Sequence, residues 1–170
     1  AFANSGIVTE IRLDDLSGYQ QHGVLAGLRF QQEVERLAAT YGGGQQTAPA
    51  QRTSDFVSGK ASSNLPACSY LPGIVTSPLH EWLPRPISTR LQEAFRIFDR
   101  KMNGFLTSES LVAGVESRSS SPVRIPRDIV TWQHPQLKNL YPCGEGSGYA
   151  GGITSSAMDG IKAAEAVSAT

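Results

Sequence analysis

The 170-residue sequence predicts a mixed fold, α+β or α/β. Three observations carry that expectation. Two segments repeat apolar residues at helical spacing. Several short segments before and after them read as strands. A glycine-rich turn then joins a strand-like segment to a last helix rich in small residues.

Gly6 to Arg12 (GIVTEIR) alternates well enough to predict a strand. A helix is expected from about Val24 to Tyr41, because Phe30, Val34, Leu37 and Tyr41 share one face. Gln31, Glu33, Glu35 and Arg36 lie away from that stripe, and Gly42, Gly43 and Gly44 end the helix. Ala50 to Val57 reads as a short helix stopped by Gly59, and the Ser/Pro-rich stretch Ala61 to Pro72 as loop. Ser77 to Leu83 predicts one helical turn, with Ser77 as cap and Pro78 first.

The second long helix is expected from Ile87 to Met102, with Leu91, Phe95, Phe98 and Met102 on its apolar face. Thr89 and Gln92 suggest a capping box behind Pro86. Leu111 to Glu116 and Pro122 to Ile125 read as strands, with Ser119 to Ser121 as the turn between them. Pro126 to Lys138 reads as loop. Asn139 to Cys143 then reads as a buried strand, although Pro142 weakens its end. Ile153 to Val167 closes the chain as a helix, with Ile153, Ala157, Ile161 and Ala164 on one face.

Composition narrows the function. Lys plus Arg equal Asp plus Glu at 15 each, which argues against a nucleic-acid coat or a polybasic membrane anchor. No apolar run approaches the ~20 residues a membrane helix needs. Seventeen Gly and ten Pro fall short of a low-complexity chain. The sequence begins at Ala1 without a signal-peptide pattern, which suggests a piece of something longer or a processed product. Two cysteines, Cys68 and Cys143, cannot form a disulfide framework; reduced thiols in a cytoplasmic protein are the expectation, with a single disulfide as the alternative.

Residues 144–152 read GEGSGYAGG, and five of the nine are glycine. Strand, glycine loop and helix N-terminus together form a device for binding anions or polar edges, because unpaired N–H groups point at the ligand. The Gly-Lys-Ser/Thr ending of a phosphate loop is missing, since Ile153 and Thr154 follow Gly152. Gly146, Gly148 and Gly151 do supply G-x-G-x-x-G, but too little chain follows for the next strand and its acidic ribose contact. On glycine content alone, a tight turn without a ligand stays open.

Other constellations are weaker. Around Asp99, Asn103 and Gly104 the chain looks like a calcium loop, but Lys101 stands where a carboxylate is needed and Ser110 at the last ligand position. Cys68, Cys143, His22, His80 and His134 lack metal spacing, so no metal site is expected. Cys143 reads as a small residue at a strand end, with a redox role as the alternative. Asp14 and Asp15 read as solvated turn residues. Ser119, Ser120 and Ser121 have no nucleophile elbow around them.

The run LYPCGEGSGYAGGITSSAMDGIKAAEAV, from Leu140 to Val167, resembles the C-terminal flavin-binding segment of two-domain FAD-dependent oxidoreductases. More narrowly, it resembles the bacterial family called uncharacterised FAD-dependent dehydrogenases. ANSGIV from Ala3, LAGLRFQQEVE from Leu25, APAQRTSDF from Ala48, LHEWLP from Leu79 and GVESRSSSPVRI from Gly114 resemble that family in the same order, so the likeness covers most of the chain.

The resemblance implies a substrate or cap portion over residues 1–126 and the terminal strand, loop and helix of the FAD-binding domain over 127–170. The dinucleotide-binding half that holds the rest of FAD would lie upstream as a separate partner. Glu145 would accept hydrogen bonds from the ribityl chain. Gly144, Gly151, Gly152 and Ile153 would present backbone to the flavin. Arg118 and Arg124 would meet substrate or cofactor phosphates, or else form surface ion pairs, and Arg52 is a similar candidate. The implied parent is a flavin-dependent dehydrogenase acting on a small molecule, with no catalytic acid or base assigned. The contrasting expectation is an interaction or dimerisation module whose glycine turn is empty. Oligomeric state is open, a homo-oligomer included.

Overall fold

The structure, a computed structural model, describes residues 2–169. They fold as a mixed α+β chain of two compact units. One combines the residues up to Gly18 with Gln32–Val115, and the other combines Tyr19–Gln31 with the residues from Glu116 onward.

The first unit is built on a three-stranded sheet. Its strands are β1 (Ala48–Arg52), β2 (Ile74–Thr76) and β3 (Leu111–Ala113), in the order β2-β1-β3. β1 runs parallel to β2, with Ala48 opposite Ile74, and antiparallel to β3, with Gln51 opposite Val112. Being central, β1 buries Ala50 and Gln51 completely. It was expected as the start of a helix, because a short strand buried on both faces shows no alternation. The helical half of that expectation holds: α2 (Thr53–Ser58) follows directly and ends at Gly59. β2 falls between the expected loop Ala61 to Pro72 and the helical turn from Ser77; three residues form a strand here only because β1 lies beside them.

Helix α1 (Ala26–Tyr41) starts close to its expected position. Phe30, Val34 and Ala38 are buried, whereas Tyr41 keeps a partly exposed ring stacked on Trp82 at 5.2 Å. α3 (Leu79–Trp82) is the expected single turn, but Ser77 does not cap it: its hydroxyl accepts the Trp82 indole N–H at 2.9 Å. α4 (Arg85–Lys101) begins before Ile87, with Pro86 in its first turn. The Thr89–Gln92 capping box is therefore absent. Gln92 lies mid-helix and donates to the Phe56 carbonyl at 2.7 Å.

The core of this unit joins Ala38, Phe56, Val57, Leu79, Trp82, Leu83 and Phe95. Phe56 meets Phe95 edge-on at 6.0 Å. Gly6 to Arg12 forms no strand. Ile7 alone packs on the core, and the segment is held to α4 by Arg90, which donates to the Glu10 carbonyl and to both Asp15 oxygens at 2.7 and 2.9 Å. Asp15 is thus no solvated turn residue, its side chain being 5% exposed. The Arg90 hydrogen bonds hold its carboxyl below the ordinary value.

A 3₁₀ stretch, Leu13–Leu25, breaks at Gly23, and its residues from Tyr19 onward belong to the second unit. Tyr19 meets Phe30 edge-on at 5.4 Å, and Gln31 donates to the Ser117 carbonyl at 2.8 Å. α5 (Ile153–Ser168) closes this unit. Neither Pro122 to Ile125 nor Asn139 to Cys143 forms the expected strand. Pro142 has no N–H to give a ladder, and Asn139 sits at φ 62, outside the strand region.

Candidate functional site

The glycine-rich turn is anchored along one side by the irregular segment 121–127. The Ser121 hydroxyl donates to the Gly146 carbonyl at 3.2 Å, the Ile125 N–H to the Ser147 carbonyl at 3.1 Å, and Arg124 Nε to the Gly148 carbonyl at 3.2 Å. Gly148 is where the two backbones meet. At φ 84, a Cβ there would stand 2.7 Å from the Val123 carbonyl oxygen. Only glycine fits that conformation and that gap.

The start of the turn is tied to α5. Arg127 forms a two-pronged pair with Asp159, at 2.8 and 2.9 Å, and also donates to the Pro142 carbonyl at 2.9 Å. Its guanidinium lies between the Tyr149 and Trp132 rings, 3.6 and 3.8 Å from their centres. Its own backbone N–H donates to the Tyr149 hydroxyl at 3.0 Å. Asp159 accepts one further bond, from the Gly144 N–H at 2.8 Å, where Gly144 sits at φ 73. The paired side chains are 10% and 12% exposed. The Arg127 bonds, and then the Gly144 N–H, hold the Asp159 carboxyl below its ordinary value against the opposing effect of burial.

These contacts leave the other end of the turn open. Gly152 is the N-cap of α5 and supplies no side chain to it, and the first bond closing the helix runs from the Ser156 N–H to the Gly152 carbonyl at 2.9 Å. The backbone amides from Ala150 to Ser155 meet no acceptor among the described residues. Nothing lies within 4 Å of where a Cβ on Gly146 or Gly151 would be. Glu145 is half-buried, and its carboxylate has no ion pair or side-chain hydrogen bond among the described residues. The Ser156 hydroxyl is buried and unpartnered among them.

Of the residues expected from sequence, Gly144, Glu145, Gly151, Gly152 and Ile153 therefore lie on one continuous turn and helix start, with Ile153 94% exposed. Arg124 is drawn to the same turn, but as a brace: it bonds the Gly148 carbonyl and lies 4.6 Å from the Tyr149 ring centre. Arg118 is exposed in the segment after β3. Arg52 is occupied by Asn64, the Ser108 carbonyl and Glu109. Asp99, at the start of the calcium-like loop, accepts the Leu106 N–H at 2.9 Å. Among the described residues no three His, Cys, Asp or Glu side chains group to hold a metal ion, and both cysteines are free thiols.

Sequence reasoning missed Arg127, Asp159, Tyr149, Trp132 and Ser156. One signal was available: Asp159 is an acidic residue within a helix rich in small residues. The face that spacing groups on α5 is the outer one. Ile153, Ala157, Ile161 and Ala164 are exposed, while Ser156, Asp159, Gly160 and Ala163 turn inward. The close neighbours of this helix are backbone and an arginine, which need small or polar residues opposite them.

A protein-family model described as "FAD-dependent protein, C-terminal domain-like" matches residues 1–119, a span that stops short of the glycine-rich turn. A relative from Clostridium beijerinckii, an uncharacterized protein, is 38% identical over 165 residues. That alignment covers 96% of this chain and 30% of the relative, so the chain spans about three-tenths of the relative's length.

Proposed function

Because the chain belongs to the family of FAD-dependent proteins, C-terminal domain-like, we propose that it serves as the C-terminal portion of a flavin-dependent oxidoreductase. In this reading residues 1–126 contribute to the substrate side, and residues 127–170 supply the flavin-facing turn and helix. A dinucleotide-binding half, carried elsewhere in a longer protein, holds the remainder of FAD. The two free cysteines fit a cytoplasmic setting.

The observation that carries the reading is the one-sided character of the turn. Its carbonyls at Gly146, Ser147 and Gly148 are bonded to segment 121–127, while the amides from Ala150 to Ser155 have no acceptor among the described residues. A row of free N–H groups at a helix N-terminus suits the electron-rich pyrimidine edge of a flavin, and the helix dipole favours the negative charge of its reduced form. The Glu145 carboxylate, without an ion pair or side-chain hydrogen bond among the described residues, suits the ribityl hydroxyls, since charge-assisted bonds are the stronger ones. The buried Ser156 hydroxyl adds a polar atom still lacking a partner. Bound flavin would supply the hydride or electron transfer, and the protein its placement and tuning.

Two experiments test this. The full-length protein, purified without added cofactor, is expected to be yellow with flavin absorbance. Glu145→Ala in that protein is expected to lower FAD retention. A colourless full-length protein that also fails to take up added FAD overturns the reading. Unchanged retention in the variant removes Glu145 from the site.

The exposed apolar face of α5 favours a companion reading of the same unit as an interaction surface. Ile153 is 94% and Ile161 60% exposed, and Met158 and Val167 are also open. The chain corresponds to three-tenths of its relative, so the partner proposed for this face is the dinucleotide-binding half itself.

A further inference from the structure

We propose that Asp159, locked by Arg127, is the positioning residue of the glycine-rich turn: it fixes Gly144 and thereby sets where Glu145 and the free amides of the turn point. The consequence for flavin rests on the function proposed above; the geometry does not.

Asp159 bonds both Gly144, at the start of the turn, and Arg127. One of its oxygens, Oδ2, takes the Gly144 N–H at 2.8 Å and an Arg127 N–H at 2.9 Å, while Oδ1 takes the other guanidinium nitrogen at 2.8 Å. Arg127 extends the tie backward to the Pro142 carbonyl and forward to Tyr149, through ring stacking and a backbone bond. Residues on both sides of Glu145 are therefore held by one ion pair. Glycines lose more freedom on ordering than any other residue, so a turn with five of them needs such ties to keep one shape. A neutral apolar residue at 159 would fill the space yet leave the Gly144 N–H without its acceptor and the Arg127 guanidinium without its carboxylate partner, with the Pro142 carbonyl still bonded. Arg127 matters to the turn through Asp159 and the Pro142 carbonyl, which makes it a second positioning residue.

Lys162, Tyr149 and Cys143 are the other titratable groups acting on the pair. None of these is a second carboxylate, but Glu145 lies next to Gly144 in the chain, so the acid response of the Gly144 amide is assigned to Asp159 where it persists in Glu145→Gln and is lost in Asp159→Ala.

The test has two arms. In the 170-residue chain, amide exchange and shift are followed by ¹⁵N NMR at Gly144, with Gly151 as an internal reference that has no acceptor. Gly144 is expected to exchange more slowly than Gly151, its shift is expected to move as Asp159 is protonated, and Asp159→Ala is expected to abolish the difference. Equal exchange at the two glycines in the wild-type chain, or a Gly144 shift blind to acid, overturns the proposal even where the variant fails to fold.

The second arm uses the full-length protein and added FAD. Asp159→Ala and Arg127→Met are each expected to weaken FAD binding roughly ten-fold or more, the scale seen when a group supporting a binding residue is removed. Asp159→Asn, which keeps the shape and one oxygen, is expected to recover part of that loss. If Glu145→Ala weakens binding and Asp159→Ala does not, the positioning role is wrong and the flavin reading stands. If the wild-type protein takes up no FAD, the flavin reading and this consequence fall together, while the exchange measurement still decides whether Asp159 fixes the turn.

Discussion

Gly148→Ala isolates the close approach of the glycine-rich turn to its neighbouring chain. Gly148 has φ 84, and a Cβ added there would lie 2.7 Å from the Val123 carbonyl oxygen, 3.1 Å from Arg124 Cα and 3.2 Å from Arg124 Cβ. The first penalty is conformational: an alanine held in the left-handed region costs about 1–2 kcal/mol. The second is steric. The nearest atom is backbone, so relief requires segment 121–127 to move away from the turn. That movement stretches the Ile125 N–H bond to Ser147 and the Arg124 bond to Gly148. Overpacking of this kind adds about 1–3 kcal/mol. The expected loss is therefore about 2–5 kcal/mol, borne by the unit that contains residues 116 onward.

Urea unfolding, with the fluorescence of Trp132 as reporter, reads that unit; Trp82 lies in the other. Gly151→Ala is the control, because its Cβ would meet nothing within 4 Å and its φ is not in the left-handed region. The control is expected to stay within about 0.5 kcal/mol of wild type. If Gly148→Ala is as harmless as Gly151→Ala, the turn is not pressed against segment 121–127 and the one-sided architecture argued above is wrong.

Three further outcomes follow from other parts of the molecule. The depressed carboxyls of Asp159 and Asp15 contribute stability that is present above the unfolded carboxylate value of about 3.9 and is lost as pH falls through their folded values. The urea midpoint should accordingly hold from neutrality to about pH 5 and drop below about pH 4; a fall confined to pH 7–5 would point to other groups. Phe56→Ala, at a fully buried ring packed on Phe95, should cost about 3–5 kcal/mol in the sheet-containing unit, measured by the Trp82 signal; a loss under about 1 kcal/mol would deny its central place in that core. Ile161→Glu should leave the 170-residue chain as stable as wild type, yet lower FAD retention in the full-length protein; unchanged retention there would mean that the outer face of α5 is not covered.

The sequence made the long helices legible because each carries an uninterrupted apolar stripe that must be buried somewhere. Phe30, Val34 and Phe95 ended up inside as the spacing requires. The sheet was harder to read. Ala48 to Arg52 has no alternation because a central strand is covered on both faces, and Ile74 to Thr76 is a strand only by virtue of its partner. The glycine-rich turn stood out by composition, and the structure keeps its expected residues together. The side that holds the turn was invisible. Periodicity groups the residues of α5 correctly but cannot say which group faces inward, and here the inward group is Ser156, Asp159 and Ala163. Buried polar residues are placed by partners distant in sequence. Asp159 needs Arg127, 32 residues earlier, before its inward position makes physical sense.

Stability alone is a poor reason for that ion pair. Two charges at about one-tenth exposure gain little over well-packed apolar residues, because most of their attraction offsets the cost of leaving water. What an apolar pair would not provide is an acceptor at a fixed point for the Gly144 N–H and a donor for the Pro142 carbonyl. The remaining ties follow the same pattern. Ser121, Arg124 and Ile125 bond carbonyls on the anchored side of the turn, and none reaches the amides from Ala150 to Ser155. A connection that merely reverses the chain has no need of such an asymmetry and would satisfy its N–H groups with a capping side chain, which Gly152 does not provide. Rigid ties behind and free donors in front are what a preorganised binding edge requires. That arrangement, more than the glycine count, supports the proposed flavin-facing reading of the turn over an empty one.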